Sequence, residues 1–377
     1  MPHKNALPFD PFVFQSNILC WYDQNQRVLP WRVVGNHKTD PYKVWLSEIM
    51  LQQTTVPAVI PYFLKFTATW PDVRALAAAK DEDVMAAWAG LGYYARARNL
   101  LKCARTIVED WGGEFPQTHE DLLSLPGIGP YTASAITAIA YGKPATVVDG
   151  NIERIASRIF AVGIPYPEGK KYVHQKAGAL FEKIDVWNPS KIKCYPQALM
   201  DIGAGVCTPQ NPSCTVCPVQ MFCQAHLNEN PDMYPMRAVK KATPIRRGDV
   251  YWIQDTEGNL LVHKRSTKRM LGGMTGLPTS DWDLKDSDLK KEKKEEQNLD
   301  FQAIFPDLKR IGDVYHVFTH FRLELTVWRV TVPHFKKVLE LSPDFQMVNI
   351  HMFKLSDMGF PTVFLKAARL AHQGSKG

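Results

Sequence analysis

The stretch CTPQNPSCTVCPVQMFC at residues 207–223 places four cysteines at the spacing C-x6-C-x2-C-x5-C. Four thiols this close in sequence can converge on one metal centre if the chain between them loops tightly, and the prolines and small polar residues allow such a loop. Zinc and a [4Fe–4S] cluster both accept four cysteine thiolates, so the spacing leaves the two open. Cys207, Cys214, Cys217 and Cys223 are therefore candidate metal ligands.

The length and composition of the whole chain limit its class. At 377 residues it is too long for one ordinary core, which predicts two or three domains. With 45% hydrophobic and 22% charged residues, it is neither disordered nor collagen-like nor a disulfide miniprotein. No apolar run reaches the roughly 18 residues of a membrane span, and the start lacks a signal-peptide pattern. We therefore expect an intracellular protein, cytoplasmic in a bacterium, with no membrane partner and no disulfides.

The net charge of +7 is compatible with nucleic acid but does not identify a partner. Its distribution is more informative, since five basic residues and no acidic ones fall within residues 237–247. Such a cluster could lie along phosphates.

Two regions of different composition predict the domain organisation. Residues 1–225 carry helix-period apolar patterns and no long alternating run, which predicts an all-α domain that includes the cysteine loop. Residues 226–247 hold three prolines and the basic cluster, which predicts an interdomain linker. Residues 248–377 predict an α+β domain, with strands within 249–265 and 314–332 and a final helix at 362–373. The mixed-charge run at 285–297 is typical of a solvated helix or loop.

The sequence LPGIGPYTA at residues 125–133 places Gly127 and Gly129 directly before a predicted helix. Glycines allow positive φ angles and close backbone approach, so successive N–H groups can point at a phosphate oxygen beside the helix N-terminus. An ordinary helix–turn–helix junction would give the same pattern.

Two carboxylates are candidates for chemistry. Asp149, in VVDGNIERIASRIF (147–160), precedes a predicted helix and could be simply its N-cap. Glu48 lies in mid-helix between Trp45, Leu46, Ile49 and Met50, surroundings that would raise its pKa if they are buried, although a solvent-facing glutamate is the simpler alternative.

These segments together carry a family resemblance. The cysteine spacing and LPGIG resemble the helix-hairpin-helix DNA glycosylases of the endonuclease III and MutY families, and WLSEIMLQQT (45–54) resembles the MutY signature. The resemblance implies an all-α helix-hairpin-helix glycosylase domain whose cysteines hold a [4Fe–4S] cluster rather than zinc. It covers essentially the whole chain and is strongest within residues 29–223.

Tyr131 stands where glycosylase/lyases of this superfamily carry a lysine that forms a Schiff base with the sugar. A phenol cannot form an imine, so the resemblance implies a monofunctional adenine DNA glycosylase. In that case Glu48 would protonate adenine N7 and Asp149 would stabilise the cationic sugar, while Tyr131 and Asn151 would orient the sugar and the nucleophile. A bifunctional enzyme and a catalytically dead binding module are the alternatives, and the first is disfavoured by Tyr131.

The resemblance also assigns binding residues and a partner. The partner implied is double-stranded DNA with adenine opposite 8-oxoguanine or guanine, bound by a monomer at the start of base excision repair. The residues implied are Trp31 and Arg32 for the adenine pocket, and Gln53, Leu91, Tyr93, Gly127 and Gly129 for DNA contacts.

The C-terminal region resembles the Nudix hydrolase that acts on 8-oxo-dGTP, but the acidic box that would hold Mg²⁺ is not visible in its sequence. A Nudix-like domain that binds without hydrolysing is therefore implied. The segment HVFTHFRLEL (316–325) resembles the loop that recognises 8-oxoguanine, which assigns that role to Phe318, Thr319 and His320. Thr319 stands where the family has a serine.

Overall fold

The computed structural model describes residues 7–33, 39–238, 243–265, 270–282, 299–318, 320–334, 336–341, 344–350 and 360–373. The chain divides into two compact units, Met1–Val239 and Lys240–Gly377. Within the described residues, no helix is both long and apolar enough to cross a lipid bilayer.

The described part of the first unit is built from helices and contains no strand, which confirms the all-α prediction. The helix predicted to follow Gly129 is confirmed only in part, because its later residues, Ile136–Ala140, wind as a π-helix. The α-helices are α1 (Pro11–Asn25), α2 (Pro41–Leu51), α3 (Val56–Thr69), α4 (Val73–Ala77), α5 (Asp81–Trp88), α6 (Ala95–Trp111), α7 (His119–Ser124), α8 (Pro130–Ala135), α9 (Gly150–Ile159), α10 (Lys170–Ala179), α11 (Pro189–Gly205) and α12 (Gln224–Leu227).

One continuous apolar core holds these helices together. Its largest fully buried side chains include Trp45 on α2, Trp88 at the end of α5, and Phe63 and Phe66 on α3. Full burial of such side chains contributes about 1.5–3 kcal/mol each for a phenylalanine. The helices that carry the candidate residues are thus anchored on rigid packing.

The described part of the second unit is a six-stranded mixed sheet with helices, which confirms the α+β prediction. The strand order is β3-β2-β1-β5-β4, with β6 also paired to β2. Strands β1 and β5 run parallel, while β4 and β5 form an antiparallel hairpin. The elements are β1 (Ile245–Asp255), β2 (Asn259–Lys264), β3 (Thr275–Gly276), α13 (Phe301–Ile304), β4 (Lys309–Val317), β5 (Arg322–Val332), α14 (Lys336–Leu341), β6 (Phe345–Asn349) and α15 (Thr362–Gln373).

Each face of the sheet has its own core. Val250, Trp252, Leu325 and Val327 are fully buried with one face of helix α15, whose Phe364 joins the same cluster. Tyr251, Ile253 and Leu261 alternate with those residues along the strands, point to the other face of the sheet and form a second cluster. This alternation is the period-two pattern that the sequence shows in 249–265 and 314–332.

The segment predicted as a linker, residues 226–247, is structured at both ends in the described residues. Its first part packs on the first unit, because the buried Arg158 guanidinium donates from Nε to the carbonyls of Pro231 at 2.8 Å and Tyr234 at 3.2 Å. Its last part, from Ile245, already belongs to strand β1. The proline content and the basic cluster predicted a linker, but composition cannot show the hydrogen bonds that Arg158 forms with Pro231 and Tyr234. The mixed-charge run at 285–297 lies outside the described residues.

Candidate active site

A cleft of about 1070 Å³ in the first unit brings together side chains from distant parts of the sequence. Its size suits a small ligand such as a single nucleotide base with its sugar. Seven of the residues that the sequence suggested line this cleft: Trp31, Arg32, Glu48, Gln53, Tyr131, Asp149 and Asn151.

Glu48 reaches the cleft from the middle of α2, which begins at Pro41 with the Asp40 carboxylate capping the backbone N–H of Tyr42. The side chain is buried, at 7% exposed, and the Tyr131 hydroxyl donates a hydrogen bond of 2.7 Å to its Oε2. Burial raises the pKa of Glu48 to about 7, opposed by the Tyr131 hydrogen bond and Arg32 and reinforced by the charge of Asp149. Glu48 can therefore carry a proton near neutral pH.

Asp149 is both the N-cap of α9 and a wall of the same cleft. Its Oδ1 accepts from the backbone N–H of Ile152 and its Oδ2 from the Asn151 amide, each at 2.8 Å. Burial nevertheless raises the pKa of Asp149, against the lowering by these hydrogen bonds and by Arg154. The effect of burial thus outweighs the helix N-terminus, which alone would lower the pKa.

Two arginines that line the cleft, Arg27 and Arg32, meet on one buried carboxylate. Arg32 binds Asp201 with two hydrogen bonds, 2.6 Å from Nη1 to Oδ2 and 2.8 Å from Nη2 to Oδ1. Arg27 donates its backbone N–H to Oδ2 of Asp201 at 3.0 Å and its Nε to Oδ1 at 2.5 Å. Trp31, between them in sequence, is 8% exposed and packs edge-on against Phe63. Asp201 therefore holds the Arg32 guanidinium rigidly in the cleft that also contains Glu48.

The sequence reasoning missed Arg27 and Gln197, which line the cleft, and Asp201, which binds Arg27 and Arg32. The sequence gives one indication that Asp201 is buried, because it stands between the apolar residues Met200 and Ile202. An acidic residue there must be paired if it is buried. Arg27, 174 residues away, gave none.

The residues assigned to DNA contacts lie in two loops and one hairpin. Gln53 follows α2 and Tyr93 precedes α6; both are exposed and have left-handed φ angles of 57° and 49°. Leu91 is only 6% exposed and belongs to the core, so it is not displayed in this structure. Neither Leu91 nor Tyr93 lines the cleft described above.

In the hairpin, Gly127 alone has a left-handed φ, of 78°, and a Cβ there would stand 2.8 Å from Cβ of Asn99. Gly129 has an extended φ of −97° and is the N-cap of α8, with open space where a side chain would be. Gly127 is thus required for the close approach to α6, and Gly129 keeps the helix N-terminus uncovered.

The four cysteines line one small apolar cavity together with Arg158 and Val219. Arg158, which is 2% exposed, also donates from Nη1 to the sulfur of Cys207 at 3.2 Å. Within the part of the chain that the structure describes, no three cysteine, histidine or acidic side chains come close enough to hold a single metal ion. A donor set of four thiols around one cavity still fits a group larger than one ion.

In the second unit, Phe318 and His320 stand in the turn between β4 and β5, and Thr319 lies outside the described residues. The Phe318 ring stacks on Phe321 at 4.9 Å, and its backbone N–H donates to the Phe321 carbonyl at 2.9 Å. His320 is exposed. The described residues of the turn are therefore a packed phenylalanine and a solvent-facing histidine.

Comparison with known proteins matches both units to families. Residues 46–183 match the HhH-GPD superfamily base excision DNA repair proteins, and residues 249–370 match the NUDIX domain. A solved structure of a thermostable thymine-DNA glycosylase is similar, with 29% identity and a TM-score of 0.50, covering 58% of this chain and 97% of that chain.

Two relatives among curated proteins are similar over most of the chain. The adenine DNA glycosylase of Buchnera aphidicola subsp. Schizaphis graminum is 36% identical over 327 residues, covering 86% of this chain and 89% of that protein. The human adenine DNA glycosylase is 33% identical over 366 residues, covering 84% of this chain and 66% of that protein.

A buried acid of raised pKa that shares a cleft with a second carboxylate is the arrangement that enzymes use to break glycosidic bonds. On this fold, and with the HhH-GPD match, it defines an enzyme of the DNA glycosylase class. The relatives narrow the class: the chain belongs to the adenine DNA glycosylase family, of the MutY type, which acts in base excision repair. The resemblance inferred from the sequence motifs is confirmed.

Proposed function

We propose that this enzyme hydrolyses the N-glycosidic bond of adenine mispaired with 8-oxoguanine or guanine, leaving an abasic site without cutting the strand. The observation that supports the hydrolysis step is the buried Glu48, whose pKa is raised to about 7 in the cleft that also contains Asp149. Neutral adenine is a poor leaving group, and an acid of that pKa can protonate it at neutral pH.

Glu48 transfers the proton, and Tyr131 orients the Glu48 carboxyl group by a hydrogen bond. The Tyr131 hydroxyl donates to Oε2 of Glu48, and burial and the neighbouring carboxylates raise the pKa of Tyr131, so the phenol keeps its proton. The other carboxyl oxygen of Glu48 is then the one that delivers a proton to N7 of adenine. After bond cleavage the ionised Glu48 can take a proton from the attacking water.

Asp149 acts on the sugar. Its two oxygens are held by Asn151 and by the backbone N–H of Ile152, so the carboxylate is fixed before substrate arrives. A fixed negative charge beside C1′ stabilises the oxocarbenium-like transition state. Because Tyr131 stands at the position of the Schiff-base lysine, no covalent imine forms and the strand stays intact.

For the adenine pocket we assign Trp31 and Arg32, together with Arg27 and Gln197, which line the same cleft. The buried Asp201 holds both guanidinium groups, so their N–H donors can be aligned with a purine edge. For DNA contacts we assign the exposed Gln53 and Tyr93 to the duplex interior, and the Gly127–Gly129 hairpin to a phosphate. Leu91 would join them only by leaving the core in which it is buried.

The second unit would distinguish the base opposite adenine. We assign this role to the turn of Phe318, Thr319 and His320, where the exposed His320 is free to reach a ligand. We also propose that the first unit is the catalytic part and the second the part that reads the opposite base, with action as a monomer on duplex DNA. Such an enzyme works where genomic DNA lies, which is the cytoplasm in a bacterium.

We propose a [4Fe–4S] cluster held by Cys207, Cys214, Cys217 and Cys223. The support is one cavity lined by all four thiols, walled by apolar side chains and by the buried Arg158. The cluster would cross-link the loop of residues 207–223 and needs no part in hydrolysis. Purified protein should be brown and contain about four irons per chain. A colourless protein with zinc and no iron would overturn the assignment, and Cys20→Ser, an exposed cysteine elsewhere, serves as control.

The activity is tested by single-turnover excision from duplexes with adenine opposite 8-oxoguanine, opposite guanine or opposite thymine. Wild type should release adenine from the first two, and Glu48→Gln and Asp149→Asn should each slow release by at least ~10²-fold. Glu109→Gln, on the exposed side of α6, should match wild type. Equal rates in all variants would refute the mechanism. Strand nicking coupled to base loss, with borohydride trapping, would show a bifunctional lyase instead.

A further inference from the structure

Arg96, near the start of α6, is a buried arginine that the proposed chemistry does not use. It is 9% exposed, and among the described residues no carboxylate forms a salt bridge with it. Burial lowers the pKa of this guanidinium, which means that the charge is held at a cost. A buried, unpaired charge is retained only where the surrounding groups are arranged for it.

Those groups are backbone carbonyls from two separate segments. One set ends α2: Nη1 of Arg96 donates to the carbonyls of Ile49 at 3.0 Å, Met50 at 2.8 Å and Gln52 at 2.7 Å. These are carbonyls that a helix C-terminus leaves without intrahelical partners, and a cation there also opposes the negative end of the helix dipole.

The second set belongs to the loop before α6. Nη2 of Arg96 donates to the carbonyls of Leu91 at 3.0 Å and Gly92 at 3.2 Å. The same nitrogen also donates to the first segment, where Oγ1 of Thr54 accepts at 3.1 Å. The guanidinium also lies over the rings of Trp88, at 5.2 Å, and Tyr93, at 5.6 Å. A planar fork with fixed N–H directions can bridge two segments in this way, whereas a lysine ammonium cannot.

The two segments are those that carry the left-handed residues Gln53 and Tyr93. Residues other than glycine rarely adopt such φ angles unless the surrounding structure imposes them. Arg96 binds the carbonyl directly before Gln53 and the carbonyl directly before Tyr93. A single side chain therefore fixes the backbone on which both exposed residues are presented.

We propose that Arg96 is a positioning residue that holds the Gln53 and Tyr93 segments at one fixed spacing, so that both enter the duplex together and extrude the adenine. This inference rests on the proposed function. Arg96 itself does not line the cleft and contacts neither Glu48 nor Asp149, although its partners Gln52 and Thr54 are cleft residues. We therefore place its effect on the extrusion of the base and not on the cleavage of its bond.

The test compares Arg96→Lys with Arg105→Lys. Arg105 lies on the same helix and donates to the carbonyls of Ala77 and Ala79, but it faces another part of the unit. Single-turnover excision is measured at saturating enzyme on adenine opposite 8-oxoguanine, in a fully paired duplex and in one with mismatched flanking pairs. Mismatched flanks lower the cost of extrusion.

Arg96→Lys should be at least tenfold slower than wild type on the paired duplex and less than threefold slower on the mismatched one, with an unchanged pH midpoint. Arg105→Lys should match wild type on both. Wild-type rates for Arg96→Lys would overturn the proposal. So would an equal deficit on both duplexes or a shifted pH midpoint, because Arg96 would then act through the helix that carries Glu48. An inactive wild type would instead refute the proposed function.

Thr54→Val keeps the inference testable if Arg96→Lys fails to fold. It removes the Oγ1 acceptor of Arg96 at 3.1 Å, together with the bond of 3.3 Å that the same hydroxyl donates to the Gln52 carbonyl. We expect a two- to threefold loss on the paired duplex that disappears on the mismatched one, and a loss of equal size on both would count against Arg96 as the spacer.

Discussion

The hydroxyl of Tyr131 donates a hydrogen bond of 2.7 Å to Oε2 of Glu48, joining residues that are 83 positions apart in sequence. The bond favours the ionised carboxylate and so lowers the pKa of Glu48, whereas burial raises it more strongly. The balance leaves the pKa at about 7, where the side chain can both give and accept a proton.

The excision rate should therefore fall as pH rises through about 7, because the protonated form of Glu48 is lost there. Single-turnover rates on adenine opposite 8-oxoguanine between pH 5 and 9 measure this limb. A rate that stays constant from pH 6 to pH 9 would contradict Glu48 as the acid.

Folding stability should depend on Glu48 in the same pH range. Its pKa is raised from 4.5 to about 7 in the folded state, so its contribution is fully present below about 4.5 and is lost as pH rises through 7. Glu48→Gln removes that loss and should be more stable than wild type at pH 8, by up to ~3 kcal/mol, with the difference shrinking toward pH 4.5. Urea unfolding at pH 5 and pH 8 measures it. Glu109→Gln, an exposed glutamate, should show no such pH-dependent gain.

Tyr131→Phe should move the pH midpoint of excision upward. The variant removes the hydrogen bond that lowers the pKa of Glu48, and leaves the burial that raises it. Tyr141→Phe is the matched control, since that hydroxyl donates to the backbone carbonyl of Phe115 rather than to a carboxylate. A midpoint that moves downward in Tyr131→Phe would reverse the sign of the argument.

Sequence reasoning reached the residues whose chemistry is local. Asp149 stands before a helix, so the pattern indicates an N-cap, and the structure shows one. For Glu48 the apolar neighbours left a buried acid and a solvent-facing glutamate both open, and the structure shows the buried acid. The alternating patterns of the second unit likewise predicted its strands, because successive side chains of a strand point to opposite faces of the sheet.

What the sequence did not reveal depends on distant partners. Nothing near Arg27 or Arg96 shows that one meets a buried aspartate on α11 and the other the end of α2. The π-helical turn at Ile136–Ala140 follows an unbroken helical pattern, and we find no local signal for it. The packing of residues 226–238 likewise depends on the buried Arg158, far earlier in the chain.

Asp201→Asn should destabilise the first unit. The carboxylate is fully buried and neutralises two arginines, so its loss leaves guanidinium groups without compensation, at a cost of about 3–5 kcal/mol. Asp23→Asn is the control, since Asp23 forms an exposed pair with Lys191 that contributes at most about 1 kcal/mol. Urea unfolding of both variants compares them, and similar midpoints would show that the buried cluster is not a structural requirement.

His320→Ala should reduce the preference for 8-oxoguanine over guanine opposite adenine. His320 is exposed in the turn after β4, where its ring can form a hydrogen bond with the opposite base. Loss of one such bond, at about 1 kcal/mol, corresponds to a roughly fivefold lower ratio of the two excision rates. His334→Ala, another exposed histidine of the second unit, should leave the ratio unchanged. Single-turnover rates on the two duplexes give the ratio directly. An equal loss of rate on both duplexes would show that His320 supports DNA binding in general and does not read the opposite base.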